Sequence, residues 1–166
     1  MIDSLLYVLI LILVILILWY AYAPSKKLKF MSECTPVPIS QEMQAMTSYA
    51  VANKINYTTH PSGILYEIIT QGSGEYPTLS STINIDYVGK LLNNTTFDTE
   101  TNIPLPLNKL IQGWQISLPL IQVGGRIKLI IPSSLAYGCK GAGDGLIPPN
   151  SPLYFDITLN SIVSSS

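Results

Sequence analysis

The chain has 166 residues, 48% of them hydrophobic and only 11% charged, with a formal net charge of −1 and a mean hydropathy of +0.35. One domain plus an apolar appendage fits these numbers, since ordinary soluble domains are about a quarter charged. With no basic stripe after residue 30, nucleic acid is excluded as an expected partner; Cys34, Cys139 and the single His60 do not make a zinc site, and no metal or cofactor is expected.

The apolar excess begins at the N-terminus. No charged residue occurs from Ser4 to Ser25, and Leu5–Leu18 is almost entirely Leu, Ile and Val, followed by Trp19, Tyr20 and Tyr22. About 20 apolar residues span a bilayer as a helix. Aromatic residues suit the headgroup level, and Lys26, Lys27 and Lys29 follow at once. Residues 4–23 therefore read as one transmembrane helix within an anchor covering residues 1–24. Ala21-Tyr22-Ala23 resembles a cleavage box, but only Asp3 precedes the run and Pro24 stands where a mature chain would start, so an uncleaved single-pass anchor is expected. The lysines favour a C-terminal domain on the cytoplasmic side or its topological equivalent. Asn-x-Ser/Thr triplets at Asn56, Asn93 and Asn94 matter only in a secretory lumen.

Residues 25–60 read as a linker with a short helix. Pro24, Pro36 and Pro38 discourage regular structure. Ser40 offers an N-cap for a helix over Gln41–Lys54, with Met43, Met46 and Ala50 on one face, expected to lie on the domain as a strut. His60, before Pro61 in a turn, is assigned no role. The two cysteines offer no framework that needs a disulfide and none that forbids one.

The remainder is β-rich. Ile64–Thr70, Thr82–Leu92, Thr95–Asp98, Gly125–Ile131 and Pro152–Ile162 read as extended segments. In the second, Ile83, Ile85, Tyr87 and Leu91 share a face; in the last, Leu153, Phe155, Ile157 and Leu159 do. Only Ile111–Leu118 looks helical, and Pro119 limits it. An antiparallel sheet with one covered face, crossed by one short helix, accounts for this pattern. The Gly-Pro-rich stretch Tyr137–Pro152 is too long for a simple hairpin, and loops of that length are often functional. Gly72-Ser73-Gly74 lacks the Gly-Lys-Ser/Thr of a phosphate loop, and no Gly-x-Ser-x-Gly occurs. Trp114, in Lys109–Trp114, is either ordinary core or the floor of an apolar pocket.

Several motifs then fall in one order: Tyr87-Val88-Gly89-Lys90-Leu91, Phe97-Asp98, Leu110-Ile111-Gln112-Gly113-Trp114, Val123-Gly124-Gly125-Arg126-Ile127-Lys128-Leu129, Leu135-Ala136-Tyr137-Gly138, Ile147-Pro148-Pro149-Asn150 and Leu153-Tyr154-Phe155-Asp156. In this the chain from about Pro61 to Val163 resembles the FKBP-type peptidyl-prolyl cis-trans isomerases, the macrolide-binding immunophilins. The lead-in Asn53 to Tyr66 resembles the macrophage-infectivity-potentiator branch. The resemblance implies an α+β fold for residues 61–166, a twisted antiparallel sheet wrapped on one short helix, with the site between helix and sheet. It implies Trp114 as floor, Tyr87, Phe97 and Phe155 as walls, and Asp98 as the polar group beside the proline ring. Ile111 would offer its backbone N–H and Tyr137 its hydroxyl, with Leu105, Leu110, Leu146 and Ile147 as further substrate contacts. No bond to substrate need form: a dry aromatic pocket favours the twisted amide, and donors aimed at the twisted carbonyl bind the transition state better than the ground state.

Two departures from the family pattern stand out. Leu105 replaces an aromatic in Ile103-Pro104-Leu105-Pro106-Leu107, and Pro119 falls where the helix usually continues. The expectation is a membrane-anchored isomerase assisting protein folding or assembly, acting on proline-containing protein substrates. Macrolide ligands and a larger membrane complex stand as open partner options. The rival is a non-catalytic chaperone or assembly subunit of a membrane complex that keeps the fold.

Overall fold

The computed structural model describes residues 12–17 and 34–163. The chain divides into two compact units, Met1–Glu33 and Cys34–Ser166. Of the first unit, only residues 12–17 are described; they are helical, with exposed apolar side chains. The rest of the expected anchor over 4–23, and the first part of the expected linker, lie outside the described residues. Among the described residues no helix is long and apolar enough to cross a membrane.

The second unit is built on six antiparallel strands: β1 (Thr58–Thr59), β2 (Leu65–Thr70), β3 (Thr82–Leu91), β4 (Thr96–Pro106), β5 (Arg126–Ile131) and β6 (Leu153–Val163). Their order across the sheet is β1-β2-β5-β6-β3-β4. Two helices accompany them, α1 (Ile39–Ala52) and α2 (Gln112–Ser117). A 3₁₀ turn, Leu118–Leu120, extends α2 and holds Pro119, so the proline shortens the α-helix as its missing N–H requires.

Strand β4 runs eleven residues, to Pro106, far past the Thr95–Asp98 read from sequence. Pro104 and Pro106 are residues that a central strand does not accept. Their tolerance follows from topology, because β4 is the sheet edge, where an absent N–H interrupts no second ladder.

The main core gathers Ile83, Ile85, Ile127, Leu129, Ile131, Phe155 and Ile157 with Trp114 and Leu118. These are the alternate residues of β3, β5 and β6, turned onto α2. The expectation of one covered face needs correction. A second cluster, Met46, Tyr49, Ala50, Ile55, Leu65, Ile130 and Tyr154, covers the opposite face of β2, β5 and β6 beneath α1. The run Leu129-Ile130-Ile131, with no polar residue between, is what a strand buried on both faces looks like.

Helix α1 also begins earlier than expected. Pro38, not Ser40, stands at its N-cap, and no side chain caps it. Its inward face is Glu42, Met46, Tyr49 and Ala50, with Met43 only at the margin. Cys34 and Cys139 form a disulfide with Cα atoms 5.1 Å apart. It ties the chain just before α1 to the loop after β5.

Candidate active site

The site starts at Gly113. A Cβ there would stand 2.5 Å from Cγ2 of Ile131 and 2.7 Å from its Cδ1, so glycine lets α2 press directly onto β5. The next residue, Trp114, is then driven into the sheet, where it is 4% exposed. Its Nε1–H is buried without a hydrogen-bond partner among the described residues, an unmade bond of the kind that folding normally avoids.

Strand register brings the walls together. Gly89 of β3 pairs with Asp98 on β4 and with Phe155 on β6. Its missing side chain again matters, since a Cβ would lie 2.7 Å from Cζ of Phe97 and 2.9 Å from Cε1 of Phe155. The β3–β4 register shifts between Ile85 and Tyr87 and again between Gly89 and Lys90. Such irregularities re-aim side chains, here on either side of the site-facing residues.

Four rings result, nearly all edge to face. Tyr87 and Trp114 have centroids 5.0 Å apart at 79°. Trp114 and Phe155 are 5.0 Å apart at 84°, and Phe97 meets Phe155 at 5.7 Å and 88°. Edge-to-face pairs of this kind contribute about 0.5–1.5 kcal/mol each beyond burial.

Above the indole lies a cavity of about 190 Å³, lined by Tyr87, Phe97, Asp98, Leu105, Lys109, Leu110, Ile111, Trp114, Tyr137 and Phe155. Nine of the eleven residues expected from sequence are thus brought together. Leu146 and Ile147 are not among the lining residues. Leu146 is 64% exposed, and Ile147 is buried in the main core, paired with Ala142 across the loop by N–H···O bonds in both directions at 3.0 Å. Lys109 also lines the cavity, a residue to which the motifs assign no site role. Leu105 does form part of the wall where the resemblance led one to expect an aromatic.

Polar groups are few. The Tyr87 hydroxyl donates to Oδ2 of Asp98 at 2.6 Å. Partial burial, then this bond, push the Tyr87 phenol well above its ordinary range. Burial, then the charge on Asp98, raise the Tyr137 phenol as well. Both hydroxyls therefore stay protonated, and remain donors, at any physiological pH. Ile111 sits at the α2 N-cap, where its carbonyl accepts from the amides of Trp114 at 3.0 Å and Gln115 at 3.3 Å. No acceptor among the described residues takes its own N–H.

A family profile for the FKBP-type peptidyl-prolyl cis-trans isomerases matches residues 74–160. The chain belongs to that family. Within it, the chain is 36% identical over 133 residues to the FKBP-type 22 kDa peptidyl-prolyl cis-trans isomerase of Escherichia coli, covering 74% of this chain and 64% of that one. It is 41% identical over 107 residues to the macrophage infectivity potentiator of Trypanosoma cruzi, covering 61% and 54%. The crystal structure of a peptidyl-prolyl cis-trans isomerase from Pseudomonas syringae superposes with a TM-score of 0.63 at 33% identity, over 78% of this chain and 99% of that one. The chain spans less than two thirds of the curated relatives' length. As an FKBP-type domain, it carries residues 34–73 outside the matched region, and these include all of α1.

Proposed function

We propose that this domain catalyses cis-trans exchange of Xaa-Pro peptide bonds in protein substrates. The observation that carries the proposal is the aromatic cavity floored by Trp114, with the Tyr137 hydroxyl and the untaken Ile111 N–H as donors at its wall and lip. The proline ring enters the cavity, and the walls strip water from the amide. Loss of hydration weakens the planar amide, whose rotation barrier is roughly 18–20 kcal/mol. The twisted carbonyl then meets the Tyr137 donor, while Ile111 holds the neighbouring substrate carbonyl. Asp98 orients Tyr87 through their hydrogen bond and needs no proton-transfer role. A protease-coupled assay of the full chain on a chromogenic Xaa-Pro peptide tests this. Acceleration above the spontaneous rate supports it, and a folded but inactive protein makes the assembly-subunit reading the better one.

The proposal extends to location. Residues 4–23 form an uncleaved membrane anchor, and the domain assists folding or assembly beside a bilayer. The lysines after the apolar run favour a domain on the cytoplasmic side or its equivalent. The Cys34–Cys139 disulfide pulls the other way, toward an oxidising compartment. Protease protection of the domain in sealed vesicles distinguishes the two topologies.

A further inference from the structure

Glu42 is the one acidic residue on the inward face of α1, and it is 5% exposed. Its carboxylate accepts the backbone N–H of Ser133 at 2.9 Å and the Ser133 hydroxyl through its other oxygen. Both donors belong to one residue, 91 positions away, and that residue is itself 1% exposed. Ser133 opens the 3₁₀ turn Ser133–Leu135, whose N-cap, Pro132, has no side chain able to cap it. Without Glu42, the first N–H of the turn would be buried and unsatisfied.

That turn leads straight into the site. The amides of Leu135 and Ala136 donate to Pro132 and Ser133, each at 3.0 Å, and Tyr137 follows. Beyond Tyr137, the same N-terminal segment takes hold again. Cys34 is bonded to Cys139, and the Asn150 side chain donates to the carbonyl of Thr35 at 3.1 Å. Residues 34–42 therefore grip the loop on both sides of Tyr137, from outside the region the family profile matches.

An apolar residue at position 42 would continue the face made by Met46, Tyr49 and Ala50 without burying a carboxylate, which costs free energy unless it is fully bonded. It would, however, leave the Ser133 N–H and hydroxyl buried and unpaired, so what the acid at this position supplies is a pair of directional bonds to one turn. We infer that Glu42 is a positioning residue for the isomerase site, holding the Ser133 turn so that Tyr137 stands at the cavity wall. This rests on the role given to Tyr137 under the proposed function.

The test uses the full chain in mild detergent, as wild type, Glu42→Ala, Glu42→Gln, Tyr137→Phe and the Glu42→Ala/Tyr137→Phe double variant. Exchange NMR on a short Xaa-Pro peptide gives kcat and KM without a coupling protease. Amide hydrogen exchange is followed at Ser133, Leu135 and Ala136, with Ile157 of β6 as control. Glu42→Ala should lower kcat about tenfold with KM nearly unchanged, because a displaced donor costs transition-state binding. Glu42→Gln, which keeps one acceptor oxygen, should recover most of that loss. The double variant should be no slower than Tyr137→Phe alone, as expected when one residue acts through the other. Exchange at the three turn amides should quicken while Ile157 stays protected.

A folded Glu42→Ala protein with unchanged kcat and unchanged turn amides overturns the inference. So does a double variant whose loss is the product of the two single losses. If Glu42→Ala does not fold, Glu42→Asp, whose shorter side chain draws the carboxylate back from Ser133, decides: faster exchange at the turn with a lower kcat supports the inference, and unchanged exchange with unchanged kcat defeats it. If the wild type itself does not isomerise the peptide, the proposed function falls, and the turn amides still decide whether Glu42 holds the loop.

Discussion

At the scale of single residues, Gly89 sets how closely Phe97 and Phe155 can stand. Its absent Cβ leaves the space in which the two rings meet, and alanine there would push at least one of them into the cavity. Gly89→Ala should destabilise by about 1–3 kcal/mol, as overpacking does, and should raise KM more than it lowers kcat; urea unfolding and peptide kinetics check the two effects. Tyr137→Phe should do the reverse. It removes a donor but keeps the ring, so kcat should fall about tenfold or more with KM little changed. The raised phenols also fix a pH dependence. Folding raises the Tyr87 and Tyr137 values above the ordinary 10.0, so above that pH the folded state keeps protons that the unfolded state releases. Their contribution is complete below about pH 10 and is lost as pH climbs through the folded-state values. Thermal unfolding across pH 8 to 11 should show stability falling on the alkaline side; a flat profile would contradict the assignment. The ring residues were legible because each sits in a short motif and the motifs fall in one order along the chain. Lys109 carried no such signal: a lysine ahead of an apolar pair reads as solvated.

At the scale of elements, two helices do different work on opposite faces of one sheet. The small helix α2 was visible from its apolar spacing and from Pro119. Its depth against β5 depends on Gly113, and Gly113→Ala should cost about 1–3 kcal/mol by driving a methyl group into Ile131. Denaturation with the Trp114 fluorescence as probe checks this. Helix α1 was visible as a helix and its Met46 and Ala50 face the sheet as expected, but Glu42 and Tyr49 on that face were not legible. Methionines marked the stripe in sequence, whereas the structure turns Glu42 inward because a distant turn supplies its donors. No local pattern can announce a partner 91 residues away. The same limit applies to β4, where prolines disguised an edge strand, and to the disulfide, whose halves lie 105 residues apart. Replacing Cys34 and Cys139 by serine should lower stability by about 2–4 kcal/mol, a typical loss for a disulfide, readable as a lower urea midpoint.

At the scale of the whole molecule, the chain joins an isomerase-type domain to a segment that reads as a membrane anchor. The motif order made the fold legible, since strands and helix each carried their own period and the glycines marked where backbones close in. Location was less legible, because three lysines and one disulfide favour opposite compartments. The central claim is that the cavity over Trp114 turns prolyl amides over. Measuring the cis-trans exchange rate of a short Xaa-Pro peptide by NMR, with the full chain and with its Tyr137→Phe variant, tests that claim most directly. The expected result is exchange well above the spontaneous rate for the wild type, falling about tenfold or more in the variant at equal stability. Spontaneous exchange in the presence of folded wild-type protein would contradict it.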